Sequence, residues 1–351
     1  MIFASDNWSG ASDKVMAALA DAAKSGGRAY GGDAATRALT ERFSALFERD
    51  VAVFIVGTGT AANVLSIGSY ARPGGRAFCH RHAHINADEA AAAESVARLK
   101  LVPIEGTYGR YDAEALAATL SRYPEGAVHY GRPVLASVSE VSELGTAYSV
   151  EEIAAIAKVA KGRGLAMHMD GARFAGAVAS LGVAPADLTW RAGIDVLSFG
   201  ATKNGCVAAE AVVFFDPAQA DDFAYARQRV GHGFSKAWFI AAQLHAYLDG
   251  GHWLDLARHA NAMGARLAEA IRRSNTVRLA VEPDANELFA ILPRDLEATL
   301  RAAGAMFNPW PAATLPPEAR PAPDEALIRL VTSFQTTPDE IDAFAARLGR
   351  V

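Results

Sequence analysis

The sequence predicts an α/β fold in which helices cover both faces of a largely parallel sheet. Two observations lead to this prediction. Short apolar runs alternate with helical patterns through most of the chain, and such alternation is typical of sheets built from β–α–β units. The runs are also apolar at successive positions, as expected for parallel strands that are buried on both faces.

The elements of this sheet follow one another in order. Apolar residues on one face predict a helix over 35–47. An apolar strand at 51–56 ends at a glycine-rich turn, and the next helix covers 61–70. A further helix is predicted at 150–161. Short apolar strands are predicted at 76–79, 99–104, 133–138, 165–170, 196–199 and 211–215.

After about residue 235 the pattern changes to that of a smaller α+β domain. Two long helices are predicted at 237–248 and 253–273, and the proline-rich stretch 309–323 predicts a surface loop. The remaining elements are strands at 277–281, 287–292 and 327–332 and helices at 295–303 and 339–348. We therefore expect an amino-terminal segment (1–15), a large domain (16–240) and a small carboxyl-terminal domain (241–351).

Composition excludes several classes of protein. The net charge of −5 and the absence of a basic block argue against a nucleic-acid partner. Cys79 and Cys206 are the only cysteines, which gives neither a disulfide framework nor a metal-ligand spacing and fits a reducing compartment. Signal-peptide features are missing, and no apolar run approaches the ~20 residues that span a bilayer. The prediction is a cytoplasmic protein without a membrane partner.

An aspartate and a lysine each follow an apolar strand at a turn of small residues. Asp170 precedes Gly-Ala-Arg173, and Lys203 lies within Gly-Ala-Thr-Lys-Asn-Gly. Ligands bind at strand ends in open α/β sheets; lysine forms Schiff bases with carbonyls, and a carboxylate can hold a protonated pyridine nitrogen. These residues indicate a pyridoxal phosphate site. The alternatives are a surface lysine, a helix-capping aspartate and an arginine in a surface ion pair.

A glycine-rich turn, Gly57-Thr-Gly-Thr60, joins the first strand to the next helix. Free N–H groups and the helix dipole suit an anion at such a turn. The turn matches neither the dinucleotide fingerprint nor the Walker motif, so it favours a single phosphate, although many such turns bind nothing. The strand at 76–79 ends without a ribose-binding acid, which disfavours a nicotinamide cofactor.

His84 and Arg329 complete the candidate site. His84 and Asp88 are spaced i, i+4 and would share a helix face. A histidine can stack on a ring or transfer a proton; a surface role is the plain alternative, and no third ligand is spaced for a metal. Arg329 lies in an apolar strand, where burial is costly without an anion. It indicates a substrate carboxylate, unless it faces water on an edge strand.

With these segments in place, the chain resembles the low-specificity L-threonine aldolases of the pyridoxal phosphate fold-type I (aspartate aminotransferase-like) superfamily. The resemblance extends over nearly the whole chain and rests on Ser5-Asp6-Asn7, Arg28-Ala-Tyr30-Gly31, Gly59-Thr-Ala-Ala-Asn63, Ala83-His84, His168 to Phe174, Phe199 to Gly205 and Arg329-Leu-Val-Thr332. It implies a mostly parallel seven-stranded sheet, pyridoxal 5′-phosphate, and a homo-oligomer (a dimer of dimers) whose subunits share active sites to which the amino-terminal segment contributes.

The resemblance also implies roles for single residues. Lys203 would form the Schiff base, Asp170 would bind the ring nitrogen and His84 would stack on the ring. The full cofactor-binding set would be Gly59, Thr60, Asn63, His84, Asp170, Arg173, Lys203 and Arg227, with Arg229 competing for the place of Arg227. The substrate-binding set would be Ser5, Tyr30, Arg173 and Arg329, with Tyr30 supplied by the neighbouring subunit.

The implied reaction is cleavage of L-threonine, L-allo-threonine or a related L-β-hydroxy-α-amino acid to glycine and an aldehyde. Another activity of this fold, such as β-elimination or racemisation, is the alternative. Glu143 stands where many family members have a second histidine, and Tyr30-Gly-Gly-Asp33 departs from the usual Tyr-Gly-Asp-Asp. The base for the hydroxyl proton is therefore open. The catalytic candidates are Lys203, His84, Glu143 and Asp88, and no metal is expected.

Overall fold

The computed structural model describes residues 1–349, and its largest element is a seven-stranded sheet of order β1-β7-β6-β5-β4-β2-β3. Its strands are β1 (Ala52–Val56), β2 (Gly75–His80), β3 (Lys100–Ile104), β4 (Arg132–Ser139), β5 (Ala166–Gly171), β6 (Val196–Gly200) and β7 (Glu210–Phe214). Strands β3, β2, β4, β5 and β6 pair in parallel, whereas β7 is antiparallel to both β6 and β1. The predicted mostly parallel sheet is confirmed.

A second, four-stranded sheet lies in the carboxyl-terminal part of the chain and has the order β10-β11-β9-β8. Its strands are β8 (Arg278–Val281), β9 (Glu287–Pro293), β10 (Asn308–Pro309) and β11 (Glu325–Val331), and every pairing is antiparallel. The proline-rich stretch between β10 and β11 contains only short 3₁₀ turns. This region has the α+β character that the sequence predicts.

Fourteen helices accompany the two sheets. They are α1 (Asp13–Lys24), α2 (Ala34–Phe47), α3 (Gly59–Ser69), α4 (His84–Ala87), α5 (Ala92–Ser95), α6 (Ala113–Leu120), α7 (Val150–Gly162), α8 (Phe174–Leu181), α9 (Pro185–Leu188), α10 (Phe223–Arg229), α11 (Trp238–Leu248), α12 (His252–Arg272), α13 (Arg294–Ala302) and α14 (Pro338–Ala345) within the described residues. Ser149 and Thr337 form complete capping boxes on α7 and α14. These capping residues explain why the first residues of both helices can be predicted from the sequence.

The proposed division at residue 241 falls inside α11. Leu244 and Tyr247 of this helix pack in the core of the large sheet, and so does Trp253 at the start of α12. Leu267 and Ile271, near the end of α12, pack in the core of the small sheet. Core packing therefore places the change between the two units within α12, and we propose that boundary in preference to residue 241.

The amino-terminal segment crosses from the small sheet to the large one. The Phe3 N–H donates to the Met306 carbonyl (2.8 Å), and the Phe3 carbonyl accepts from the Val331 N–H (2.9 Å). Farther along, the Ser12 N–H donates to the Gly205 carbonyl (2.9 Å). Residues 5–7 are consequently held between the two sheets. Among the residues described, no helix has the length and apolarity needed to cross a membrane.

Candidate active site

The site lies at the carboxyl ends of the strands that share one direction. Strands β1 and β6 are both antiparallel to β7, so β1 ends at the same edge as the parallel strands. The glycine-rich turn follows β1, His84 follows β2, Glu143 follows β4, Asp170 is the penultimate residue of β5, and Lys203 follows β6. The sheet therefore brings segments that are distant in sequence to one edge, as ligand sites in this class of fold require.

Asp170 is the buried acid of the site, with 6% of its surface exposed. Its Oδ2 accepts a hydrogen bond from Asn63 Nδ2 (2.8 Å), and its Oδ1 accepts from the Ala172 N–H (3.0 Å). Two donors thus fix the orientation of the carboxylate. The Asn63 amide nitrogen donates to Asp170 and Glu89, so Asn63 orients the Asp170 carboxylate, and its contact with the cofactor stays a prediction.

Lys203 lies in the short turn Thr202–Asn204 after β6. A Cβ atom at Gly200 would come within 2.6 Å of the Ala172 carbonyl, so glycine is needed where the ends of β5 and β6 approach each other. Asn204 fixes the turn by donating to Tyr247 Oη and to the Trp253 carbonyl (2.8 Å each). The Lys203 amine makes neither a hydrogen bond nor an ion pair within residues 1–349. It is therefore available for a carbonyl group.

His84 is held at two points. Its backbone N–H donates to Glu143 Oε1 (2.8 Å), and its ring Nδ1 lies 2.8 Å from Glu89 Oε1. The prediction that His84 and Asp88 share a helix face is not met. Helix α4 ends at Ala87 after a single turn, so Asp88 caps it and is exposed, whereas Glu89 turns inward. Asp88 is thus displaced by its neighbour.

Glu143 is a buried carboxyl group beside His84. Its Oε1 accepts from the His84 N–H and from Ser139 Oγ (2.9 Å). Burial raises the pKa of Glu143 to about 7; the negative charge of Asp170 adds to this effect, and the hydrogen bonds oppose it. A group with such a pKa can gain and lose a proton near neutral pH. The structure therefore brings Glu143 into contact with His84, as the sequence comparison of this segment suggests.

Two arginines and two acids alternate in a buried cluster. Arg173 Nε and Nη2 donate to the Asp6 carboxylate (2.7 and 3.0 Å), and its Nη1 lies 3.0 Å from Glu287 Oε2. Arg329 is 3.7 Å from Glu287 Oε1, and its guanidinium lies 4.7 Å from the centroid of the Trp310 ring. Burial raises the pKa of Asp6, but the charges of Arg173 and Lys203 outweigh burial and hold it below its ordinary value.

Asp6 and Glu287 were not among the predicted site residues. Both are almost fully buried, and burial of a carboxylate requires a partner charge. For Glu287, the available signal was a charged residue at the start of an apolar strand. A charged residue within an apolar strand is also what identifies Arg329. Arg329 Nε is buried and has no hydrogen-bond partner among the described residues, so this arginine retains a donor for an anion.

The glycine-rich turn begins α3. Thr58 caps the helix by accepting from the Ala61 N–H (3.1 Å), and the N–H groups of Gly59 and Thr60 precede the first intrahelical bonds. A Cβ atom at Gly59 would meet nothing within 4 Å. Arg227 Nη1 donates to the Ile55 carbonyl (3.2 Å) in the strand that leads into this turn. The space beside Gly59 is therefore free for a ligand, and the Arg227 guanidinium lies against the strand that leads into the turn. Arg229 is exposed instead.

Ser5 and Tyr30 differ in their placement. Ser5 lies next to Asp6 and caps the turn Asp6–Trp8 by accepting from the Asn7 N–H (3.1 Å). Tyr30 is 65% exposed and lies in a turn. Its own backbone N–H donates to the Ser235 carbonyl (3.0 Å). Ser5 is thus beside the charge cluster, whereas the Tyr30 ring lies at the surface of the chain.

His84, Glu89 and Asp170 form a compact group at the sheet edge. The nearest ligand atoms of His84, Glu89 and Asp170 lie within 4.8 Å of one another. The Asn63 amide donates to both carboxylates, and the imidazole is in hydrogen-bond contact with Glu89. His84 therefore pairs directly with Glu89, and Asn63 bridges Glu89 and Asp170.

Known proteins resemble this chain in sequence over most of its length. The sequence model of the β-eliminating lyase family matches residues 3–293. The chain is 37% identical to the low specificity L-threonine aldolase of Pseudomonas aeruginosa over 306 residues, which are 87% of this chain and 88% of that protein. The corresponding protein of a Pseudomonas species is 36% identical over the same shares of both chains.

Among solved structures, the threonine aldolase of Leishmania major superposes with a TM-score of 0.91 at 25% identity, covering 99% of this chain and 98% of that one. The match to the family model, the identity to the Pseudomonas relatives and this superposition extend over most of the chain. The chain therefore belongs to the β-eliminating lyase family and, within it, to the low-specificity L-threonine aldolases.

Proposed function

We propose that this protein is a lyase that cleaves L-threonine, L-allo-threonine or a related L-β-hydroxy-α-amino acid to glycine and an aldehyde, with pyridoxal 5′-phosphate as its cofactor. The observation that carries the proposal is the convergence of Asp170, Lys203 and His84 at one sheet edge. The sequence relatives support the same conclusion because proteins named as threonine aldolases match 87% of this chain.

The residues present fit the cofactor. The free N–H groups of Gly59 and Thr60 suit a phosphate at the start of a helix, and Arg227, whose Nε is buried without a partner in the described part of the chain, adds a positive charge behind the turn. Asp170 suits a protonated ring nitrogen, and Lys203 suits a carbonyl carbon. These groups lie at the same edge of the sheet, at the ends of β1, β5 and β6.

When bound, pyridoxal phosphate supplies an electron sink for the pair released as the substrate Cα–Cβ bond breaks. The protein supplies orientation and proton transfer. Arg329, with Arg173 and Ser5 nearby, holds the substrate carboxylate, and this contact decides which bond at Cα lies in the reactive direction. His84 takes the hydroxyl proton as the aldehyde forms, and protonation of Cα then gives glycine. Glu143 holds the backbone of His84 in place. Glu143 also has a pKa suited to sharing that proton through a water molecule.

The decisive assay uses purified protein with added cofactor. We expect L-threonine or L-allo-threonine to yield glycine and acetaldehyde in equal amounts, and phenylserine to yield glycine and benzaldehyde. Release of ammonia with a keto acid would instead identify β-elimination, and formation of the D-amino acid would identify racemisation. Either of those results, without glycine, would overturn the proposal.

Arg329→Ala is expected to raise KM on the order of ten- to a hundredfold while kcat changes much less. Loss of a charged hydrogen bond costs about 1.5–3 kcal/mol, and a contact made equally in the ground and transition states appears in KM. Steady-state kinetics measure the split. Arg278→Ala, at an exposed ion pair in the same sheet, is the matched control. An unchanged KM in the Arg329 variant would remove this residue from the substrate site.

We also propose that subunits associate as a dimer of dimers with shared sites, since Tyr30 is exposed on the single chain. Coexpressed Tyr30→Ala and Lys203→Ala subunits are expected to recover about a quarter of wild-type activity, because half of randomly formed dimers are hybrids with one intact site in two. Each variant alone remains nearly inactive. Tyr130→Ala, at another exposed tyrosine, should retain activity alone. Activity no higher than that of either parent would argue against sharing.

A cytoplasmic location is part of the proposal. Cys79 and Cys206 are both buried and free, and burial raises the pKa of both thiols well above its usual range. Buried unpaired thiols suit a reducing compartment.

A further inference from the structure

Glu89 is a buried carboxylate to which the roles described above give no task. Its side chain is 1% exposed, although the next residue in either direction is exposed. Its Oε1 lies 2.8 Å from His84 Nδ1 and 2.9 Å from Asn63 Nδ2. One oxygen atom thus contacts both the imidazole and the amide that orients Asp170.

The donors in this chain can be assigned from the contacts. Asn63 Nδ2 faces carboxylate oxygens of both Glu89 and Asp170, so its two hydrogens are both used and the orientation of the amide is fixed. Glu89 Oε1 is therefore an acceptor. An ionised carboxylate only accepts, so the hydrogen shared with His84 belongs to Nδ1.

We propose that Glu89 is a positioning residue that holds His84 as the Nδ1–H tautomer and links it through Asn63 to Asp170. Nε2 is then the imidazole atom left to exchange a proton in the site. A carboxylate that fixes the tautomer of a functional histidine is a general device of acid–base sites. Use of Nε2 in catalysis rests on the proposed function, whereas the tautomer does not.

The position of the side chain agrees with this assignment. The His84 side chain is 42% exposed while its Nδ1 contacts a buried oxygen, so the open part of the ring lies away from Glu89. The backbone of His84 is held separately by Glu143. Glu143 therefore fixes where the residue lies, and Glu89 fixes which nitrogen of the ring carries the proton.

Several charges act on the imidazole. The hydrogen bond to Glu89 raises the pKa of His84, burial lowers it, the charge of Asp170 raises it and the charge of Lys203 lowers it, and the net direction is upward. The Glu143 carboxyl group contacts the backbone N–H of His84, and its hydrogen bond is therefore not to the imidazole ring. Removing the Glu89 charge should therefore lower the pKa of His84. If neutral His84 is the base, the acid limb of the kcat/KM profile should then move to lower pH.

The test begins with the wild-type protein labelled with ¹⁵N-histidine, loaded with cofactor and studied by NMR above the pKa of His84. Resonances that disappear in His84→Gln identify the residue. We expect a protonated Nδ1 and an unprotonated Nε2. A wild-type ring protonated at Nε2 would overturn the proposal without any variant of Glu89.

Glu89→Gln keeps the size of the side chain and removes its charge. The expected results are loss of the single Nδ1–H state, a shift of the kcat/KM acid limb to lower pH, and a fall in kcat on the order of ten- to a hundredfold. Glu89→Asp, which shortens the reach, should have weaker effects of the same kind. Glu94→Gln, a neighbouring exposed carboxylate, should change none of them.

Two further results separate this proposal from the proposed function. An unchanged tautomer in folded Glu89→Gln would contradict the positioning role even if the protein cleaves threonine. The expected tautomer in a protein that releases no glycine would retain the positioning role and reject the aldolase activity.

Discussion

Replacing Lys203 with alanine is expected to abolish turnover, with a fall in kcat at least on the order of 10⁴-fold, the scale on which loss of a covalent catalytic group acts. The absorbance band of the lysine–cofactor Schiff base should be lost as well, because the amine that would bind the carbonyl carbon is gone. The fold should persist, since the turn is held by Asn204 and not by the lysine.

Absorbance spectra of the purified variant, with and without added cofactor, measure the loss of the Schiff-base band, and glycine release measures the loss of turnover. Lys158→Ala is the matched control because Lys158 is an exposed lysine on α7. If Lys203→Ala keeps both the absorbance and the activity of the wild-type protein, the assignment of the cofactor site is wrong.

Asp170→Asn is expected to leave the cofactor bound but to lower kcat on the order of 10²- to 10³-fold. The amide has nearly the shape of the carboxylate and can still accept from Asn63, but it carries no negative charge to hold a proton on the ring nitrogen. The substrate should therefore still bind, with KM changed much less than kcat.

The control for this change is Asp221→Asn, at an exposed aspartate after the 3₁₀ turn Pro217–Ala220. Thermal unfolding should be measured on both variants, because Asp170 is buried and its hydrogen bonds contribute to stability. A folded Asp170→Asn protein with wild-type kcat would show that the carboxylate charge has no part in the reaction.

The strands of the large sheet could be predicted because buried parallel strands are apolar at every position. The direction of β7 could not be recognised from its own residues, since Glu210–Phe214 resembles the parallel strands. The connection before it, residues 201–209, does contain the information. It is too short for the crossover of a dozen or more residues that a parallel pair requires, so β7 returns antiparallel to β6.

The candidate site was predictable where one residue and one strand end determine the position. Asp170 and Lys203 are of this kind. Glu89 was missed because the i, i+4 rule assumes a continuing helix, and α4 has only one turn. Asp6 and Glu287 were missed for another reason. Their partner Arg173 is distant from both in the sequence, so the contact itself could not be predicted, and the position of Glu287 at the start of an apolar strand was the only local sign of a buried charge.

The crossing of the amino-terminal segment between the two sheets has a consequence for the order in which the site is assembled. Phe3 is synthesised near the start of the chain, but its backbone partners, Met306 and Val331, are synthesised near the end. The residues proposed to hold the cofactor all precede residue 230. Amino-terminal parts of a chain fold first during synthesis. The part of the site proposed to bind the cofactor can therefore form before the carboxyl-terminal sheet supplies Arg329.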